Sequence, residues 1–537
     1  MPKRLFTYLF LALMLPNIAL CFTEGMTMPE NLTNIILPAG LVMLLASLLK
    51  NPGKAAWLMF PFIFFAAFQL VLLYLFGEGI ISVDMFLNVV TTNGGEIEEL
   101  LGNLVPAVAG VFIVYIPLLV LACVAIKKRW LLTPAFRRKA MRCCGSAATA
   151  AGIVLLAACY ATIDGYRILT RLYPANVCYN LVLAFERNAV SANYNTASAN
   201  FTFNARATHP ADSAEVYVLV IGETARANNF SLYGYSRNTN PLLSRTPHLT
   251  VFSDVTSQSN TTHKSVPMLL TAATADNFSR LYHEKGLLAA FREAGFHTTF
   301  ISNQLPNHSF IDFLGMQADD CIFLKEGSNK ADDISDMQLV QKLDEVLAQG
   351  RKKEFVVLHT YGSHFNYHER YPREMAVFRP DSRTDAKYEN RADLRNAYDN
   401  TIVFTDYMLH GVITKLKSRG AQAAMLYTSD HGENLFDDSR RLFLHASPKA
   451  SAYELHVPFL LWLSDNYITA YPGNTAAISA NRQKKAESSV TTFHTMLQLA
   501  GIDTPYADRT LSVADTSYTE RQRKYINDHN EPLPLPY

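Results

Sequence analysis

The sequence predicts a multi-pass α-helical membrane domain of five spans, joined to an α/β domain whose mostly parallel sheet is sandwiched by helices. Three observations lead there. Long apolar runs lie before residue 166. All 15 His lie after residue 208. From Val216 onward, short apolar strand-like runs alternate with helical ones. The 537 residues allow two or three domains. Lys plus Arg number 48 and Asp plus Glu 47, a net charge of +1 that excludes a generally basic nucleic-acid binder and an acidic disordered tail. Charged residues make up only 18%, with 32 Phe and 26 Tyr, which excludes a solvated, disordered chain.

A helix needs about 20 apolar residues to cross the hydrocarbon core, with about 17 tolerated. The candidate runs are 5–22, 34–49, 55–76, 104–126 and 147–163; the second is marginal. The first has another reading, a signal peptide behind Lys3 and Arg4. No small-x-small cleavage pattern follows it, and Leu20 before Cys21 is too bulky for a lipoprotein cleavage site, so a retained span is favoured. The cationic loops then set orientation. Lys3, Arg4, Lys50, Lys54, Lys127, Lys128, Arg129, Arg137, Arg138, Lys139 and Arg142 fall on one side, and loops 23–33 and 77–103 carry no Lys or Arg. Eleven against zero is a positive-inside pattern that leaves everything after residue 165 outside the cytoplasm, without access to cytoplasmic ATP.

Within the 77–103 loop, Asn88, Thr92 and Glu96 fall at i, i+4 and i+8, on one face of a short surface helix. One reading is a polar face wetted by headgroups, the other a claw for a zwitterionic headgroup; Gly94 and Gly95 weaken the helix. The expected organisation is 1–165 as the membrane domain, 166–213 as a bridging helix and linker, and 214–537 as the globular domain.

Strands are expected at 216–221, 297–303, 354–360 and 423–429, with helices at 286–296, 337–350 and 400–420. Outside the membrane part lie only Cys178 and Cys321; they either form one bridge or stay as two thiols. There is no CxxC, so no cysteine zinc site. In open α/β sheets ligands gather at the carboxyl ends of strands. Glu223 follows the first strand, His359 and His364 the third, and Asp430 and His431 the fourth, with His445 shortly after. Taken alone, each is more often a cap or a satisfied core residue; together they favour a metal. Mixed imidazole and carboxylate donors suit zinc, whereas magnesium prefers oxygens and retained water.

IGETARANNFSLYGYSRNTNP, SNTTHKSVPMLL, GSHFNYHERYP, YDNTIVFTD, SDHGEN, FLHASP and HVPFLLWLS occur in this order. The chain thereby resembles the lipid A phosphoethanolamine transferases of the alkaline phosphatase and sulfatase superfamily, which include the mobilised colistin-resistance enzymes, and the resemblance extends to the five spans. It implies that Glu223, Thr262, Asp430 and His431 are zinc ligands, that Thr262 is the nucleophile, and that His364 and His445 stand beside the phosphate. It also implies headgroup contacts at Asn88, Thr92 and Glu96, and His308 where relatives often carry a lysine. The family's several disulfides cannot form here, and Met268 stands where relatives have a cysteine.

The implied enzyme is an inner-membrane protein, expected as a monomer, with a periplasmic catalytic domain and Zn2+ as cofactor. It would move phosphoethanolamine from phosphatidylethanolamine to a lipid A phosphate through a phosphothreonine-type intermediate, releasing diacylglycerol and lowering negative surface charge, the basis of polymyxin resistance. Either His364 or His445 would protonate the leaving alkoxide. The alternatives are a phosphoethanolamine or glycerophosphoryl transferase acting on a core sugar or another envelope glycan, and a hydrolase of the phosphatase or sulfatase type. A sulfatase needs a CxPxR-type signature, which DDCIFLK around Cys321 lacks.

Overall fold

The computed structural model describes residues 1–91, 94–307, 309–326, 335–383 and 385–536, with side chains described throughout these except at 88–104 and 143. Backbone contacts divide the chain into two compact units, 1–90 with 100–187, and 91–99 with 188–537.

The first unit is helical. Pro2–Thr23, Met28–Leu48, Val105–Lys127 and Pro134–Thr162 are each long and apolar enough to cross a membrane. Met28–Leu48 starts earlier than its apolar run because Thr27 and Glu30 form a capping box. The 55–76 run, expected as one span, is two helices, Pro52–Leu58 and Phe60–Phe76, bent by 65°. Pro61 explains the break: it lacks an N–H and suits the first turn of a helix rather than its interior. Counted as one, this bent pair makes the fifth span. Between the first two helices Asn17 Nδ2 donates to Asn34 O at 2.8 Å, and Asn34 Nδ2 donates back to Asn17 O at 3.0 Å. The amphipathic helix Ala175–Ala192 follows.

The second unit is built on a seven-stranded sheet. In chain order its strands are β1 (Glu215–Gly222), β2 (Leu249–Val251), β3 (His297–Ser302), β4 (Asp320–Phe323), β5 (Lys353–His359), β6 (Gln422–Ser429) and β7 (Phe459–Leu463). Their spatial order is β2-β7-β6-β1-β5-β3-β4. All neighbours are parallel except those of β7, which runs antiparallel to both β6 and β2. The expected strands at 216–221, 297–303, 354–360 and 423–429 are β1, β3, β5 and β6.

The central strands β1, β5 and β6 are buried along nearly their whole length and mostly apolar, because both sheet faces are covered. Along β1, Tyr217, Leu219 and Ile221 enter one core, with Val266, Leu269 and Phe493. Val216, Val218 and Val220 enter the other, with Leu394, Ile402 and Leu409 of helix Arg391–Arg419. Each such side chain contributes about 1.5–3 kcal/mol on burial. The 191–213 stretch carries aromatic anchors into the first core: Tyr194 and Phe203 are buried, and the Tyr194 hydroxyl donates to Glu284 O at 2.8 Å. Cys178 and Cys321 are free thiols.

Candidate metal centre

Register places the chemistry. Gly222 of β1 pairs with Ser429 of β6, and Ile221 pairs with both Thr428 of β6 and His359 of β5. Glu223, Asp430 and the loop after β5 therefore leave the sheet at the same level. Glu223, Asp430 and His431 are buried, and one ligand atom from each lies within 4.8 Å of the others. His431 Nε2 is 3.6 Å from Glu223 Oε1 and 3.2 Å from Asp430 Oδ2.

Thr262 begins the helix Thr262–Leu270. Its Oγ1 is 3.0 Å from His431 Nε2 and 3.2 Å from Glu223 Oε1. The four residues named from the sequence as ligands thus converge on one point.

The donor set fits a cation. The His431 ring sits with Nδ1 2.9 Å from Gly432 O; a backbone carbonyl only accepts, so Nδ1 carries the proton and Nε2 keeps its lone pair. Burial, and then His445, pushes the His431 imidazole down to about 3, holding it neutral. Burial, and then the neighbouring Asp430, pushes the Glu223 carboxyl above its ordinary value. Asp430 is raised by burial to about 6. Two buried carboxylates with raised proton affinity, beside a neutral imidazole lone pair, are what a bound divalent cation would stabilise.

The flanking groups are held firmly. Glu223 Oε2 accepts from Gln304 Nε2 at 3.2 Å. Asp430 Oδ1 accepts from the backbone N–H groups of Thr224 and His431 at 3.0 and 2.7 Å. Arg226, buried, donates to Asp437 and to Glu433 O, with its guanidinium over the Tyr398 and Tyr453 rings. Gly432 lies so close that a Cβ there would stand 2.1 Å from Tyr453 O and 2.8 Å from Arg226 Cβ.

Two more histidines border the point. The His445 ring centroid is 4.2 Å from that of His431, and Nδ1 is 3.3 Å from Glu433 Oε1. Leu444 and Ala446 on either side have φ of +67° and +60°, so the backbone is bent to present this ring. Burial pulls the His445 imidazole down, but Glu433, Glu223 and Asp430 outweigh it and lift it to about 9. Burial, and then Arg370, pushes His364 down to about 3. Its Nδ1 is 2.6 Å from Phe365 O. Asn88, Thr92, Glu96 and His308 lie outside the described residues or side chains. Thr224, Gln304 and Arg226 were missed in the sequence: nothing in residue type or spacing marks them.

The sequence profile of the sulfatase family matches residues 215–502, from the start of β1 to just beyond the helix Ser488–Leu499. The chain belongs to the sulfatase family. Within that family it is 31% identical over 303 residues to the Kdo(2)-lipid A phosphoethanolamine 7''-transferase of Salmonella typhimurium, 54% of this chain and 51% of the relative. The chain thus spans about half the length of that curated relative. The crystal structure of the C-terminal periplasmic domain of EcEptC from Escherichia coli, in complex with Zn, is 26% identical with a TM-score of 0.57, covering 62% of this chain and 96% of that one. The integral membrane protein lipooligosaccharide phosphoethanolamine transferase A from Neisseria meningitidis superposes with a TM-score of 0.76 at 22% identity, covering 95% of this chain and 98% of that one. This sulfatase-family chain therefore shares a fold in which membrane-length helices precede the sheet domain.

Proposed function

We propose that the chain is a membrane-bound, zinc-dependent transferase. It moves phosphoethanolamine from phosphatidylethanolamine to a phosphate of lipid A, on the periplasmic side of a bacterial inner membrane. The observation that carries this reading is the Thr262 hydroxyl within 3.0 Å of His431 Nε2 and 3.2 Å of Glu223 Oε1. Its similarity to a phosphoethanolamine transferase and to a zinc-bound EptC domain supports it. The eleven-to-zero loop charges support the placement.

Glu223, Asp430, His431 and Thr262 would hold the zinc. Bound there, zinc supplies Lewis acidity that favours the threonine alkoxide and offsets charge on the transferring group. The residues do the rest. Thr262 Oγ1 forms a bond to phosphorus as the bond from phosphorus to the diacylglycerol oxygen breaks. His445, kept cationic beside Glu433, hands a proton to the departing oxygen. The proton that Thr262 sheds replaces the one that His445 gives to diacylglycerol. His364 donates through Nδ1 to Phe365 O, which leaves the Nε2 lone pair to accept a hydrogen bond from the incoming acceptor and orient it. The acceptor oxygen then bonds to phosphorus as the bond from phosphorus to Thr262 Oγ1 breaks, and the acceptor's proton passes to Thr262 to restore its hydroxyl. Donor contacts at Asn88, Thr92 and Glu96, and an acceptor-side place for His308, rest on the sequence resemblance.

The test has two parts. Protein incubated with phosphatidylethanolamine should carry phosphoethanolamine on the peptide containing Thr262, by mass spectrometry. Lipid A from cells with and without the protein should differ by phosphoethanolamine on a phosphate. Modification on a Kdo sugar instead would favour the core-sugar reading, which the 31% identity to a Kdo(2)-lipid A 7''-transferase keeps in view. Free phosphoethanolamine with no modified glycolipid would favour a hydrolase.

A further inference from the structure

Thr224 directly follows Glu223 and hydrogen-bonds to both buried carboxylates. Its backbone N–H donates to Asp430 Oδ1 at 3.0 Å, and its hydroxyl donates to Glu223 Oε1 at 2.7 Å. Its φ is +61°. A β-branched residue adopts this left-handed conformation against steric resistance, while glycine adopts it freely. The surroundings impose it. The Tyr398 hydroxyl donates to Thr224 O at 2.7 Å and accepts from Arg226 N at 2.9 Å. Ala225 N donates to Ser429 Oγ at 2.8 Å. Strain that the surrounding structure over-determines collects at functional sites. Backbone shape and the N–H to Asp430 would survive a glycine; the hydroxyl on Glu223 would not.

We infer that Thr224 is a positioning residue of the metal centre. Its hydroxyl and Gln304 Nε2 hold opposite oxygens of the Glu223 carboxylate, turning Oε1 toward His431 Nε2 and Thr262 Oγ1. The inference rests on the metal reading above and adds a part to it. The strain at Thr224 is retained for the sake of that hydroxyl.

The test separates stability from metal affinity in the full-length protein in detergent. Metal is stripped with a chelator, zinc affinity is measured by competition with a chromogenic chelator, and the thermal midpoint of the stripped protein is recorded. Thr224→Gly relieves the strain and removes the hydroxyl. It should melt at or above the unsubstituted midpoint yet bind zinc about 10- to 100-fold more weakly, the usual cost of losing a partner of a metal ligand. Thr224→Val keeps the shape and the strain without the hydroxyl and should lose as much affinity. Thr224→Ser should keep the unsubstituted affinity. Wild-type zinc affinity in the glycine and valine variants overturns the inference, and so does a serine variant as weak as they are. An unsubstituted protein that binds no zinc overturns the metal reading itself, a result distinguishable from equal, tight binding in every variant.

Discussion

Asn17 and Asn34, buried between two membrane-length helices, satisfy each other. Each amide donates to the other's backbone carbonyl, at 2.8 and 3.0 Å. At the sheet ends, Glu223, Asp430 and His431 are as deeply buried, but two of the three are like-charged acids, and the imidazole turns its lone pair toward them. The first arrangement is closed: it stabilises helix packing and asks for nothing more. The second is open: it raises proton affinity and calls for a cation. Burial of polar groups therefore marks a site when their donor and acceptor capacities fail to cancel, and marks structure when they do cancel.

The largest effect should come from Thr262→Ala, which removes the proposed attacking oxygen while leaving Glu223, Asp430 and His431 in place. Transfer and covalent labelling should fall below detection, with the fold and bound zinc retained. An alanine variant that still accumulates labelled phosphoethanolamine at the unsubstituted level would make the open site something other than a nucleophile's.

Glu223→Gln sharpens the contrast. Without metal, the substitution removes one of two repelling acids, so at pH 7.5 the stripped variant should melt above the stripped parent. Loaded with zinc, the order should reverse. Asp430 gives the pH window. Its folded pKa, about 6, lies above the ordinary 3.8, so the folded state binds the proton more tightly. Stability of the stripped protein is then fully present below pH 3.8 and is lost as pH rises toward 6. That shift is worth about 3 kcal/mol. A flat melting profile across that range would show that burial does not raise the Asp430 proton affinity.

His359 has the opposite slope. It ends β5 with Nδ1 3.1 Å from Ser302 Oγ, and burial pushes it down to about 4. The unfolded chain takes up this proton near pH 6.5 and the folded chain only near 4, so stability is full above 6.5 and is lost as pH falls through that window. The amount is about 3 kcal/mol, and His359→Gln should flatten the acid limb in urea unfolding at pH 5 against pH 7.5.

The smallest effect belongs to the closed pair. Asn34→Leu should cost about 0.6 to 1.7 kcal/mol of membrane-unit stability in detergent, the usual worth of such a bond between membrane helices, without altering zinc affinity. A change in zinc affinity there would break the separation drawn between the two regions.

What the sequence made legible follows the same physics. Val216 to Ile221 is an apolar run rich in β-branched residues, which favours a strand covered on both faces, and Glu223, Asp430 and His431 could be read as strand-end residues once those strands were placed. Strand β7 went unmarked because FLLWL is equally apolar as a helix turn, and β2 and β4 are only three and four residues long. Thr262 stands at no strand end, so only the family resemblance found it. Glu433 lies inside the SDHGEN motif, but nothing in that motif points to its partner, because His445 reaches it from twelve residues further along the chain. The left-handed φ of Thr224 belongs to the whole surrounding packing and leaves no trace in one residue letter.

Gly432 sets a limit on how this protein can change over generations. It sits between His431 and Glu433, and any other residue there would drive a Cβ into the Tyr453 carbonyl at 2.1 Å. Tyr453 belongs to the short helix Ala452–Leu455, whose Glu454 anchors Asn260 two residues before Thr262. A substitution at Gly432 would push on the loop that carries His431 and on the segment that carries Thr262 together. In a saturation library selected for transfer, this position should return glycine alone, whereas surface positions such as Lys342 should return many residues.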